Sequence, residues 1–250
     1  MNELFDVVDL GRMAYAPAYA EQVRRLEAVV AARDSQGPRA DVVLLVEHDP
    51  PVVTISRRPG AEAHLIATAD QLARAGVTLE QTDRGGDITY HGPGQLVVYP
   101  ILDLNRFHLR LHEYMRLLES AVIDVCARFG VKADRDACAT GVWVPHASSP
   151  TTHAPFHPAC DASSAPAAKI CAMGVRVRRW VSMHGLALNV TTNLDHFGLI
   201  VPCGLAGRAV TSLERELRNA VPLMPAVKTA IVDSLAARLR EHISATARHD

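Results

Sequence analysis

The sequence predicts an α/β fold built around one core, and three observations lead there. Strand-like apolar runs alternate with helical periodicities along the chain. A length of 250 residues suits one large domain and leaves little room for two independent cores. Hydrophobic residues make up 48% and charged residues 21%, so there is enough to bury and too little charge to keep the chain unfolded.

Residues 4–10 alternate loosely and read as a first strand. Tyr19, Val23, Leu26 and Val30 then recur on one helical face. Residues 41–46 read as a buried strand, and residues 52–56, beyond the turn at Pro50 and Pro51, as its partner. A short helix over 70–75 stops at Gly76, and residues 77–83 run as a strand into the glycine-rich RGGDITYHGPGQ at 84–95. Residues 96–104 are strand-like. Leu111, Met115, Leu118, Val122, Val125 and Phe129 form the most regular helical stripe in the chain. Residues 141–144, 169–177 and 180–190 read as three strands of a sheet, and Ile231, Leu235, Leu239 and Ile243 mark a closing helix. Residues 145–168 break this order. Five Pro, seven Ala and four Ser without periodicity predict a mobile loop.

Composition narrows the function. The apolar runs are far shorter than the roughly 20 residues of a membrane-crossing helix. The N-terminus places Glu3, Asp6 and Asp9 where a secretory signal needs a basic start and an unbroken apolar stretch, so the expected location is the cytoplasm. A net charge of −1 argues against sequence-independent phosphate binding, and no nucleic-acid partner is expected. Five cysteines, at 126, 138, 160, 171 and 203, show neither a paired framework nor CxxC spacing and read as thiols. His146, His153, His157, Cys160 and Asp161 lack regular zinc-ligand spacing, and no metal site is expected.

Phosphate-loop, GxSxG, HExxH and GxGxxG signatures are absent, which removes the main supports for P-loop hydrolysis, common serine-hydrolase chemistry and zincin proteolysis. Three features remain. Gly85, Gly86, Gly92 and Gly94 let a ligand lie against backbone N–H groups, and Arg84, Tyr90, His91 and Gln95 in the same stretch favour a site over plain turns. Lys169, one of only three lysines beside 23 arginines, sits in the apolar AAKICAMG; burial there would suit it to carry protons, whereas an outward-facing strand lysine is the ordinary reading. Cys203, in LIVPCGLAG, is a nucleophile only where a base or cation stands beside it.

Together, RGGDITYHGPGQLVVYPILDL at 84–104, KICAMGVRVRRWVSMHGLALNV at 169–190 and FGLIVPCGLAGRAVTSL at 197–213 closely resemble the octanoyltransferases, also called lipoate-protein ligase B. The resemblance is collinear from about residue 42 to 213. It implies a single catalytic domain over 1–250, with a mixed sheet flanked by helices like that of biotin protein ligases and lipoate-protein ligase A. It implies transfer of an octanoyl group from octanoyl-acyl carrier protein to a lysine of lipoyl domains, those of 2-oxoacid dehydrogenase complexes and the glycine cleavage H protein, as the first step of endogenous protein lipoylation.

In that family Cys203 matches the nucleophile that carries the octanoyl thioester, and Lys169 matches the lysine that handles its proton. The acyl-binding positions fall on Arg84, Gly85, Gly86, Asp87, Ile88, Thr89, Tyr90 and His91, on Ala172, Met173 and Gly174, and on Gly185, Leu186 and Ala187. Ile88, Met173 and Leu186 are candidate walls for the chain. No cofactor is implied, because exchange between thioesters needs no ATP. Arg57, Arg58, Arg176, Arg178 and Arg179 are candidates for docking an acidic carrier protein. Two enzymatic alternatives share these residues: an ATP-dependent lipoate or octanoate ligase, and an acyl thioesterase in which water discharges Cys203. The stretch at 145–168 is longer than the family's usual connection, and a surface lobe that is dispensable for activity is expected there.

Overall fold

The structure is a computed structural model, and it describes residues 3–136, 139–145, 167–201, 208–218 and 220–248. Seven strands form one sheet: β1 (Asp6–Met13), β2 (Val42–His48), β6 (Gln95–Ile101), β7 (Asp134–Arg135), β8 (Val142–Pro145), β9 (Ala167–Arg178) and β10 (Val181–Asn189). Their spatial order is β1-β2-β6-β10-β9-β8-β7. β1 and β2 run parallel and the other neighbours antiparallel, so the sheet is mixed as expected.

Both faces of this sheet are covered, which explains the unbroken apolar run at 42–46. Val43 and Leu45 pack toward α3 (Leu111–Arg128) and α5 (Met224–Thr246), while Val42, Leu44 and Val46 pack toward α1 (Tyr15–Asp34). The stripe on α3 buries Leu118, Val122 and Val125 against α5 residues Ile231, Leu235 and Leu239. Asp124 ties the two helices by accepting from Ser234 (2.8 Å) and from Arg238 Nε (2.7 Å).

A second sheet of three strands, in the order β4 (Thr78–Thr82), β3 (Val52–Ser56) and β5 (Ile88–His91), lies beside the first. This corrects one expectation. Residues 52–56 do not pair with 42–46; β3 pairs parallel with β4 and antiparallel with β5. Pro50 and Pro51 carry no N–H for a hairpin ladder, and all five β3 residues are buried, Val53 and Ile55 of them in a small core of the second sheet. The short helix α2 (Ala69–Ala75) crosses this core and is bounded by a reciprocal Thr68–Gln71 capping box and a left-handed Gly76. A further short helix, α4 (Leu213–Leu217), was not legible in the sequence; Ser212 caps it.

The 145–168 stretch leaves from β8 and returns into β9, and its ends are register partners, Pro145 with Ala167. Residues 146–166 lie outside the described residues. Among those described, no helix is long and apolar enough to cross a membrane.

Candidate active site

A narrow cleft opens between the two sheets. Arg84, Gly86, Thr89 and His91 border it on the small-sheet side. Ala172, Met173 and Gly174 of β9 and Gly185, Leu186 and Ala187 of β10 border the other, with Val97 and Tyr99 of β6, Tyr15 of α1 and His184 completing it. The structure therefore gathers ten of the positions singled out in the sequence around one cavity. Its exposed surface is predominantly apolar. Leu186 and Met173 border it while also packing against the core on the α3–α5 side.

The cleft exists because two backbones touch. Gly85 N–H donates to Val175 O at 2.9 Å, and a Cβ on Gly174 would stand 2.5 Å from Gly85 O. Only glycines allow residues 84–86 to close over β9 this tightly. The Arg84 guanidinium is drawn inward by Thr54, donating to its carbonyl at 3.0 Å and its hydroxyl at 3.1 Å.

Four expected positions do not border the cleft. Gly85 forms the contact with β9. Alternation along β5 sends Thr89 and His91 to the cleft, and Ile88 and Tyr90 to the small-sheet core with Val53 and Ile55. Ile88 is thus not a wall of the cavity. Tyr90 instead shares a hydrogen bond between its hydroxyl and His196 Nδ1 (2.8 Å) and packs edge-on against Phe197. Asp87 Oδ2 lies 2.9 Å from His64 Nδ1, and His64 O accepts from Val201 N–H at 2.7 Å. Asp87 and Tyr90 therefore secure the chain up to residue 201.

At the inner end stands a cluster of rings that sequence reasoning missed. His48 Nδ1 faces Met13 O (3.1 Å), so it carries the proton, and Nε2 accepts from the Tyr99 hydroxyl at 2.7 Å. The Gln95 amide nitrogen is engaged with Tyr90 O and Asn189 Oδ1, so Gln95 Oε1 accepts from His91 Nδ1–H at 2.7 Å. His184 Nε2–H donates to Asp83 Oδ1 at 2.9 Å, and Asp83 also accepts from Tyr19 (2.9 Å) and from the Arg176 guanidinium. Burial drives all three histidines toward neutrality: His48 to about 4, His91 well below its ordinary value, and His184 to about 3, the last two also repelled by the Arg84 charge. Arg176 already balances Asp83, so His184 remains a neutral donor to that carboxylate. The available signal was a polar residue on an apolar face: Gln22, between Ala18 and Leu26 on α1, is fully buried and accepts from His184 N–H at 2.8 Å.

Lys169 lies on β9 and is 6% exposed, so it is not an outward-facing strand lysine. Its N–H donates to Ala209 O at 2.8 Å, and its carbonyl accepts from Thr211 N–H at 2.9 Å. Residues 209–211 thus run beside it in a parallel bridge. Cys203 lies outside the described residues, as do Cys138 and Cys160. Cys126 and Cys171 are buried, and burial raises both thiols, Cys126 to about 12, so neither is a nucleophile at neutral pH.

Of the arginines suggested for docking an acidic partner, Arg176 and Arg178 lie at the end of β9 and Arg179 follows it. Arg176 is held by Asp83, and Arg178 ends β9, about 30 Å along the strand from Lys169. Among the described residues no cluster of three or more metal-ligating side chains occurs.

Comparison with known proteins places this geometry. The family described as the lipoyl protein ligase A/B catalytic domain matches residues 18–236. An octanoyltransferase of Bacteroides thetaiotaomicron is 45% identical over 217 residues, 87% of this chain and 88% of that protein. One of Cytophaga hutchinsonii is 39% identical over 253 residues, covering 98% and 96%. Among solved structures, the bi-partite lipoate protein ligase of Thermoplasma acidophilum superposes with a TM-score of 0.65 at 17% identity, over 98% of this chain and 91% of that one. The biotin protein ligase of Aquifex aeolicus in complex with biotin and ATP reaches 0.52 at 10% identity, over 96% and 72%.

Proposed function

The chain belongs to the octanoyltransferases of the lipoyl protein ligase A/B catalytic-domain family and is an acyltransferase; on that premise we propose that it moves an octanoyl group from octanoyl-acyl carrier protein to a lysine of a lipoyl domain through a thioester on Cys203. One catalytic domain spans residues 1–250 in this reading. The observation that carries it is the zippering of residues 209–211, six positions and more beyond Cys203, onto the backbone of the buried Lys169. The other end of 202–207 is anchored at Val201 by His64. Both supports favour a cysteine held near that lysine.

Lys169 takes the Cys203 thiol proton, and the thiolate attacks the thioester carbonyl of the donor. The tetrahedral intermediate collapses with cleavage of the carbon–sulfur bond to the carrier, whose thiolate takes the proton back from Lys169. The acceptor amine then attacks the Cys203 thioester, the amide forms, and Cys203 leaves as thiolate; Lys169 takes the amine's proton and passes it to that thiolate, restoring the thiol. No ATP is consumed, since a thioester is converted to a more stable amide. The cleft receives the acyl tail, whose roughly seven apolar carbons contribute about 5 kcal/mol when buried. Arg84, Gly86, Thr89, His91, Ala172–Gly174 and Gly185–Ala187 border that tail, whereas Asp87 and Tyr90 support the chain leading to Cys203.

Intact-mass measurement after incubation with octanoyl-acyl carrier protein, without ATP, tests this. One octanoyl group on Cys203, absent from Cys203→Ser, slowed in Lys169→Ala and discharged onto a lipoyl domain, is the expected result. Modification that demands free octanoate and ATP would establish the ligase, and release of octanoate to water in the presence of acceptor would establish the thioesterase.

A further inference from the structure

Trp143 takes no part in the cleft, yet it is 2% exposed and is the register partner of Lys169 on the neighbouring strand. Its ring carries two cations. Lys169 Nζ is 4.6 Å and Arg208 Cζ 4.0 Å from the indole centroid. The ring is itself fixed, because Nε1–H donates to Ala139 O at 3.1 Å. Two residues on, Gly141 N–H donates to Oε1 of the buried Glu119 at 3.1 Å. Glu119 is balanced by Arg116 (2.7 Å) and Arg135 (3.1 Å), so this backing is a closed polar unit. Arg208 is ion-paired with Asp136 and begins the segment that zips onto Lys169.

We propose that Trp143 is a positioning residue for acyl transfer: its indole holds the Lys169 ammonium and the Arg208 guanidinium in one fixed arrangement. A buried ammonium has lost most of its water, and the negative face of an indole replaces part of that solvation where an aliphatic side chain offers nothing. Two cations of like sign repel, and the ring face and the carboxylate of Asp136 offset that repulsion. Cation and thiolate then meet in the first half of transfer without a search for the lysine rotamer. This role rests on the Cys203–Lys169 reading given above.

The test compares Trp143→Phe, which keeps an aromatic face, with Trp143→Leu and Trp143→Met, which fill space only, in full-length protein verified as folded by circular dichroism. The pH dependence of iodoacetamide alkylation is read at the Cys203 peptide, beside kcat and KM for octanoyl transfer. The aliphatic variants are expected to raise the alkylation midpoint by about half to one pH unit, toward that of Lys169→Ala, and to lower kcat about tenfold with KM changed less than about twofold. Trp143→Phe is expected to restore most of both. Equal midpoints and equal kcat in Phe, Leu and Met variants would reduce Trp143 to core filling and overturn the proposal. Were Lys169→Ala itself to leave the midpoint unmoved, the dyad reading and this proposal would fall together; were Lys169→Ala to move it and the aliphatic variants not, only the role of Trp143 would fall.

Discussion

Replacing Gly174 by Ala puts one methyl group into the contact that closes the cleft. The added Cβ would lie 2.5 Å from Gly85 O and 3.3 Å from Arg84 Cδ. Carbon and carbonyl oxygen tolerate about 3.3 Å, so residues 84–86 must lift by about 0.8 Å. That movement stretches the 2.9 Å hydrogen bond from Gly85 to Val175, worth about 1 kcal/mol, and adds an overpacking cost of about 1–2 kcal/mol. A loss of about 2–3 kcal/mol lowers Tm by about 4–12 °C in a domain of this size. Urea denaturation and thermal melting measure it, and KM for the octanoyl donor is expected to rise because the roof over the acyl tail has moved. Gly85→Ala meets the same obstacle from the other side, 2.9 Å from Val175 O, so the double substitution should cost at least about 0.5 kcal/mol less than the sum. Gly198→Ala, with nothing within 4 Å of its Cβ, serves as control and should stay within about 0.5 kcal/mol of the parent. If Gly174→Ala matched this control in Tm and in KM, the backbone contact would not be what shapes the cleft.

Other expectations follow from the same geometry. His48 and His184 are held neutral, at about 4 and about 3 against an ordinary 6.5, so the unfolded chain binds their protons first. Their contribution is present above pH 6.5 and is lost as pH falls toward 4, by at most about 1.4 kcal/mol per pH unit for each group; urea midpoints at pH 7, 6 and 5 check this, and a flat profile would refute it. Tyr90→Phe removes the 2.8 Å bond to His196, and it should lower kcat while leaving octanoyl KM unchanged, because that ring supports the chain toward Cys203 rather than the cleft. Joining Pro145 to Ala167 through a short turn in place of 146–166 should preserve folding and transfer, since the two residues are already ladder partners; a folded but inactive deletion would show that this stretch serves catalysis.

How much of this was legible in the sequence depends on the range of the contact concerned. Elements defined by local periodicity were found where expected, such as the stripe on α3 and the Gly76 stop of α2. The partner of β3 was not, because Pro50 and Pro51 suggest a tight turn equally well whether the next strand folds back or departs to a second sheet. Nor could spacing show that Tyr15, His48, Tyr99 and His184, drawn from four separate elements, meet at one end of a cleft. Their contacts reach far along the chain, 101 positions between His184 and Asp83 and 162 between His184 and Gln22.

The glycine-rich motif shows why even a correct motif conceals its division of labour. In residues 84–91 the backbone first crosses over β9 and then becomes β5, and from that point successive side chains alternate between two environments. Thr89 and His91 meet the cleft, whereas Ile88 and Tyr90 meet the small core and, through His196, the segment that leads to residue 201. One short strand thus braces both the cleft and the segment that leads to residue 201. On the other side of the same gap, Lys169 is clasped by residues 209–211 and by Trp143. The six positions 202–207 are therefore bounded by two independent supports. Loosening either should affect turnover more than acyl binding, which is why a split between kcat and KM, rather than activity alone, separates the residues that hold the chain from those that hold the substrate.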